Sequence, residues 1–454
     1  MVRSNREEIQ RLIELSAREG NILPITSRCD TRCVFCSHRN NPPDIDVISI
    51  GVRTLDEIAQ TMNCLDPRRP ITIGESASSI IEGEPFTHPD FCKILTALRS
   101  RFPRTPVEIT TNGHHLTSSM VDFLAGLGNV SLQISLNSAS AKGRDLLMGD
   151  SAEQTERTLA GIGLIAGRGI SYAASLVAMP HLTGWDDMLE TVRFLAAHQA
   201  TAIRVCMPGF ARKALRPGVP DADTLHAQLR EFIQGLPNDL ACPVLIEPSY
   251  VTNLSAEISG VICDAPAWRA GLRRGHVIRR VNGREPRSRV EAWNMLAPRG
   301  PMSIAALKEG REEELFWINP HDGGSGIVME YDFDMARADR IRQYILQRPG
   351  RTLLLASEFG YAVLRAVQEL LHLSEDCAEV VMVKNLTFGG TIRAAGLLTV
   401  DDYEATFKDW QTRGKEKPCQ ILLPDESFNS LGFDLKHRHW SQLEALTQTP
   451  VKLA

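Results

Sequence analysis

Between residues 21 and 245, short apolar runs take turns with helix-patterned segments, and no other feature limits the fold so tightly. The runs are NILPITS (21–27), PITIG (70–74), PVEITTNG (106–113), VSLQISLN (130–137), ISYAASLVAM (170–179) and TAIRVCM (201–207). Between them, TLDEIAQTMNCL (54–65), DFCKILTALRSRF (90–102), SSMVDFLAGLG (118–128), AEQTERTLAGIGLIAGRG (152–169) and WDDMLETVRFLAAHQ (185–199) are spaced as helices, as is the stretch 6–20. Six strands alternating with helices predict parallel β/α units. Such sheets bind ligands beyond the carboxyl ends of their strands, so chemistry is expected in the loops that follow the runs.

The loop after the first run reads RCDTRCVFCSHR (28–39) and holds Cys29, Cys33 and Cys36, three of the chain's ten cysteines, as C-x3-C-x2-C. A disulfide reading fits poorly with the rest of the chain. No apolar run approaches the roughly 18 residues of a membrane span, and the charged start MVRSNREEIQRLIELSAREG lacks a signal-peptide core. These features predict a cytoplasmic protein with reduced thiols. A net charge of −5 and a pI near 6.2 give no nucleic-acid-binding surface. The basic clusters RRGHVIRR (273–280) and RPGR (348–351) are expected to be solvated faces. A structural zinc site needs a fourth ligand. His38 is cramped for that role, and no second C-x2-C exists, because Cys64, Cys92, Cys206, Cys242, Cys263, Cys377 and Cys419 stand alone. Three thiolates can instead hold three irons of a cubane and leave the fourth open to a small chelating molecule.

This loop, with aromatic Phe35 before its third cysteine, resembles the radical S-adenosylmethionine (radical SAM) superfamily. EGEP (82–85), TTNGHHL (110–116) and ISLNS (134–138) resemble, in order, further motifs of that family. The resemblance covers about 230 residues and implies a partial parallel (β/α)6 barrel. It also implies a 4Fe-4S cluster on Cys29, Cys33 and Cys36, with S-adenosylmethionine (SAM) chelating the open iron. Glu84 would accept hydrogen bonds from the SAM amine, and Phe35 would lie near the adenine. Ser135 and Asn137 would contact ribose or carboxylate, and backbone of LVAMP (176–180) and VCMPG (205–209) would line the adenine edge. ESASSII (75–81) separates the second run from EGEP, which leaves either an insertion or a misplaced strand, with Glu75 as the alternative acid. His114 and His115 read as structural or solvated, and Arg204 as a salt bridge or a substrate contact.

Three domains are expected: a radical SAM partial barrel (1–245), a PDZ-like β-rich module (246–320) and a C-terminal α/β domain (327–454). The second rests on AGLRRGHVIRRVNG (270–283), with an Asn-Gly turn, and on a hairpin with an EG turn in MSIAALKEGREEELFWI (302–318). It lacks a clear Gly-Leu-Gly-Phe-type carboxylate loop, so an architectural role is expected over peptide binding. PHDGGSG (320–326) marks the following boundary. The apolar runs RTLLLASEFG (351–360), AEVVMVKNLTFGG (378–390), TIRAAGLLTV (391–400) and QILLPDESF (420–428) make the third domain. VKNLTFGGTIRAAGLLTVDDY (383–403) resembles a C-terminal domain of unknown function in a radical SAM subfamily that also carries a PDZ module. There Gly389-Gly390 reads as a hairpin turn or a close approach to a ligand. Cys206, Cys263 and Cys377 read as buried small hydrophobes, with one of them instead a radical-quenching thiol or a ligand for a soft element.

The resemblance implies an enzyme that cleaves SAM reductively, with electrons from a flavodoxin- or ferredoxin-type donor, and starts radical chemistry on a small-molecule substrate. Two alternatives stay open: transfer of the SAM aminocarboxypropyl group to a small acceptor, including a thiophilic one, and a non-enzymatic adaptor with a structural metal.

Overall fold

The computed structural model describes residues 6–75, 79–237, 240, 242–414 and 416–454. Its contacts divide the chain into two compact units, Met1–Pro208 and Gly209–Ala454.

In the first unit, strands β1 (Ile71–Ile73), β2 (Val107–Thr111), β3 (Val130–Ser135), β4 (Tyr172–Val177) and β5 (Ile203–Cys206) pair in parallel in chain order. Sequential order with a helix between neighbours is that of a barrel segment. The expected helices form at Arg6–Gly20, Leu55–Thr61, Phe91–Arg101, Ser118–Leu127, Ala152–Gly167 and Trp185–Ala197. Capping boxes start two of them, Thr54 with Glu57 and Ser151 with Gln154. An additional helix, α1 (Ala141–Met148), ends on Gly149 in the left-handed conformation.

NILPITS, expected as the first strand, makes only isolated bridges. Ile22 lies parallel to Thr72 and Thr26 lies antiparallel to Val52. Leu23 N–H donates to Thr72 O (2.8 Å) and Thr72 N–H to Asn21 O (3.1 Å), and the ladder goes no further because β1 ends at Ile73.

Parallel sheets are normally apolar on both faces, yet here burial alternates along the strands. Leu132 and Ile134 are buried, whereas Ser131, Gln133 and Ser135 are only half-buried. Thr110, Ser175 and Arg204 share that second face by register and alternation, giving the sheet one polar side.

In the second unit, β6 (Val277–Val281), β7 (Gly300–Lys308) and β8 (Arg311–Asn319) form an antiparallel sheet. Both predicted turns are present: Asn282-Gly283 and Glu309-Gly310 have φ of 49° and 78°, and 49° and 80°. RRGHVIRR is not a plain solvated face. Arg273 stacks 3.6 Å over Trp268, and Arg274 donates to the carbonyls of Ile233 and Leu236.

The C-terminal part holds a four-stranded parallel sheet in which β9 (Thr352–Ser357) lies between β10 (Ala378–Val383) and β11 (Gln420–Leu423), with β12 (Val451–Leu453) outside β11. Helices α2 (Met335–Gln347) and α3 (Glu358–Leu370) share one apolar core with it, and Val400–Thr412 and Ser441–Thr447 share the other. TIRAAGLLTV is not a strand but a loop with one 3-10 turn, Ala395–Leu397. Gly389-Gly390 is therefore not a hairpin turn. A Cβ on Gly390 would stand 2.9 Å from Ala211 C, because residues 388–391 clasp residues 210–212. Arg212 N–H donates to Phe388 O (2.8 Å) and Thr391 N–H to Phe210 O (3.0 Å). The close approach that the glycines allow is to the chain's own backbone.

Candidate metal centre and its surroundings

The cysteine loop is suspended between two neighbours. On one side, Gly83 N–H donates to Thr26 O and Glu84 N–H to Arg28 O, both at 2.8 Å. On the other, Arg32 and Val34 N–H donate to Met148 O and Leu147 O at the end of α1, both at 2.9 Å. EGEP thus lies against the residues just before Cys29. A Cβ on Gly83 would sit 2.6 Å from Ser27 C, so only glycine admits this approach.

The separation of EGEP from its strand is an insertion. The chain leaves β1 at Gly74 and returns at Pro85, whose Cγ would lie 2.5 Å from a Cβ on Gly74. Within the excursion Ile80–Ile81 pairs with Ile48–Ser49. Of ESASSII, residues 76–78 lie outside the described residues. Glu75 is exposed, whereas Glu84 is 4% exposed.

Glu84 ends where the strands end. Its carboxylate accepts from Thr111 Oγ1 (2.8 Å), Asn112 N–H (2.7 Å) and Phe86 N–H (3.3 Å). Burial outweighs these bonds and pushes its pKa up to about 7. A carboxylate offers about four lone-pair sites, so three donors leave room for one more. The neighbouring Glu82 carboxyl is also pushed well up by burial, and its Oε2 meets no partner.

None of the ten cysteines forms a disulfide. Cys29 is exposed, Cys33 and Cys36 are half-buried, and the Thr31 hydroxyl lies 3.2 Å from Cys29 Sγ and 3.4 Å from Cys33 Sγ. Burial, with repulsion from Cys29 and Cys36, pushes the Cys33 thiol up to about 11. Among the described residues no three His, Cys, Asp or Glu side chains converge on a point, as a single-ion site requires.

Phe35 is half-buried in the loop. Ser135 lies at the end of β3 with its hydroxyl 3.2 Å from that of Ser175. Asn137, with φ 62°, is buried and its amide serves the chain itself. It donates to Ser135 O and Met148 Sδ and accepts from Val177 N–H (3.0 Å). Cys206 and Cys263 are half-buried and Cys377 is exposed, so the buried-hydrophobe expectation fails for all three.

A network that sequence reasoning missed anchors the loop. Asp30 accepts from Asn112 Nδ2 (2.7 Å) and lies 2.9 Å from His115 Nε2 and 3.4 Å from His114 Nδ1. His114 Nε2 lies 2.9 Å from Asp150, which also accepts from buried Arg144 (2.7 Å). Burial lowers the pKa of His114, but the two aspartates outweigh it and raise the pKa to about 9, so the ring is charged at neutral pH. The signals available were the His doublet after the third run and the acid inside RCD.

The three-cysteine loop at the carboxyl end of a sequentially ordered parallel sheet defines a class of β/α protein built to present thiolates beside a buried acid. Residues 23–195 match the family described as "Radical SAM superfamily". The superfamily uses a 4Fe-4S cluster and SAM. A GTP 3′,8-cyclase of Cronobacter sakazakii (strain ATCC BAA-894) is 26% identical over 140 residues, which are 31% of this chain and 40% of the relative. Streptococcus suis SuiB bound to S-adenosylmethionine shares 17% identity at a TM-score of 0.37, covering 50% of this chain and 49% of that one. Native anSMEcpe with bound AdoMet and Kp18Cys peptide shares 12% identity at a TM-score of 0.37, covering 47% and 58%. The chain thus spans less than two thirds of each of these proteins. No helix among the described residues is long and apolar enough to cross a membrane.

Proposed function

We propose that this protein is a radical SAM enzyme with one 4Fe-4S cluster on Cys29, Cys33 and Cys36, acting on a small-molecule substrate with an external flavodoxin- or ferredoxin-type electron donor. The observation that carries the reading is the backbone pairing of EGEP with residues 26–28, which fixes a buried acid beside the thiolate loop. The donor set suits the group: three thiolates on one loop, and a Glu84 carboxylate with one acceptor site left for an ammonium. When bound, the cluster supplies the electron that breaks a carbon–sulfur bond of SAM.

The chain's own residues orient and shield. Glu84 accepts from the SAM amine. Phe35 covers the adenine. Ser135 meets ribose or carboxylate, and Asn137 acts there by fixing the ends of β3 and β4. The polar face of the sheet, with Gln133 and Arg204, is the surface offered to substrate. Gln133 Nε2 is buried without a partner there. The PDZ-like module is read as architectural.

Anaerobic reconstitution with SAM and a reductant tests this. About four irons per chain and 5′-deoxyadenosine are expected. Methylthioadenosine as the product would point instead to aminocarboxypropyl transfer. Zinc alone, or a fourth protein ligand on the cluster, would sink the proposal.

A further inference from the structure

The C-terminal sheet contains a feature that the radical SAM reading does not use. The chain passes from β9 through α3 to β10 on one side, then returns through Val400–Thr412 to β11 on the other side of β9. Strand order therefore reverses between β9 and β11, and open parallel sheets bind ligands at the carboxyl ends of strands at such a point. A cavity of about 360 Å³ lies there, walled by Leu354–Ser357 of β9, the first turn of α3, and Leu422–Pro424 at the end of β11. Its size is that of a small-molecule site.

The walls are mostly apolar: Ile341 of α2 and Val363 and Leu364 of α3 face Ala356 of β9. Phe359 and Tyr331 add flat surfaces, and Tyr331 is 57% exposed at the rim. Two charged side chains in the wall are already partnered. Asp332 accepts from the N–H groups of Arg289, Val290 and Phe333, and Glu426 holds the Arg337 guanidinium. Arg337 also reaches Asp425 (3.3 Å) and Ala454 O through its terminal nitrogens, yet its Nε–H is buried with no acceptor. A buried donor without an acceptor is unfavourable, and a ligand that supplies one relieves that cost. Arg337 lines the same cavity as the start of helix α3, where Phe359 N–H already donates to Arg393 O (3.4 Å) and Gly360 N–H to Ser357 Oγ (3.1 Å).

We propose that this cavity is a second binding site, for a small molecule with a flat apolar body and one anionic, hydrogen-bond-accepting group. The ring system lies between Ala356, Val363 and Phe359. The anionic group takes the Arg337 Nε–H. The site is lined by residues of the second unit alone and requires no iron.

The test uses the full chain, before and after reconstitution, with 8-anilinonaphthalene-1-sulfonate as the anionic probe and N-phenyl-1-naphthylamine as its neutral counterpart. One saturable sulfonate site per chain is expected, independent of iron. Ala356→Phe, which fills the cavity, is expected to weaken it by more than about tenfold. Tyr331→Ala, at the exposed rim where folding is not at stake, is expected to weaken both probes severalfold. Arg337→Met is expected to weaken the sulfonate about tenfold and leave the neutral probe within about twofold. Binding that never saturates, or that survives both Ala356→Phe and Tyr331→Ala, overturns the site. Equal loss of both probes in Arg337→Met overturns its anionic character. None of these outcomes depends on cluster chemistry, so failure here is distinguishable from failure of the enzymatic reading.

Discussion

Replacing Gly83 by alanine separates backbone necessity from side-chain chemistry at the candidate centre. Gly83 has no function of its own, and it sits where a Cβ would stand 2.6 Å from Ser27 C and against Arg28 O. Both obstacles are backbone, so EGEP must move away from the cysteine loop. That movement breaks the Gly83–Thr26 and Glu84–Arg28 hydrogen bonds, each worth about 1 kcal/mol. It also loosens the bonds of Glu84 to Thr111 and Asn112, so a total near 3 kcal/mol is expected. In a unit of this size that lowers the melting temperature by about 6–12 °C. Gly126 is the internal control. It lies in the helix Ser118–Leu127, and a Cβ there meets nothing within 4 Å. Gly126→Ala should therefore stabilise by up to about 1 kcal/mol. The assay is thermal unfolding of both variants without iron, then iron and sulfide content after anaerobic reconstitution. Gly83→Ala should melt low and hold well under half the parent's iron, while Gly126→Ala should melt slightly high and load fully. A Gly83→Ala protein that melts within about 2 °C of the parent and loads normally would refute the claim that EGEP seats the loop.

Further outcomes follow from the same geometry. Glu84→Gln, in reconstituted protein, should weaken SAM about ten- to a hundredfold in equilibrium dialysis, the range for a hydrogen bond to a charged group. Glu84 carries a pKa raised to about 7, so the stability it contributes without SAM is present below about 4.5 and lost as pH rises through 7, by about 3 kcal/mol. Denaturation midpoints at pH 5 and pH 8 should show that fall, and Glu84→Gln should flatten it. His114, raised to about 9, contributes stability that is full below 6.5 and lost as pH rises through 9; His114→Gln should remove that alkaline loss from the same midpoints. Any one of Cys29→Ala, Cys33→Ala or Cys36→Ala should abolish stable cluster loading, read by iron content and visible absorbance.

The sheet strands after the first, and the helices between them, were legible because periodicity of two and of 3.6 alternates cleanly through residues 54–207. Turn chemistry was legible too: Asn282-Gly283 and Glu309-Gly310 turn because both positions take positive φ. Three features escaped. NILPITS fails as a strand because its partner β1 ends at Ile73, one residue past the bridge at Thr72. Helix α1 is short and carries Gly143, which looks like a breaker. It is retained because a Cβ there would stand 2.8 Å from Ser138 Cβ. TIRAAGLLTV is apolar because it packs against its own unit, and not because it pairs in a sheet. At the centre, the cysteine loop stood out by its spacing, and EGEP only by its likeness to a family motif. Asp30, Asp150 and Arg144 did not stand out, because their meeting with His114 depends on segments up to 84 positions apart.

The clasp between residues 210–212 and 388–391 also sets an order of events on the ribosome. Thr391 Oγ1 receives the N–H of Phe210 from 181 positions earlier. At ordinary synthesis rates the nascent stretch around Phe210 waits roughly 10–40 s for its mate to emerge. The first unit has time to mature in that interval, whereas the second is held open until its late loop arrives. Messages cut short before codon 391 should accordingly yield a sound leading half with a sticky, protease-sensitive tail.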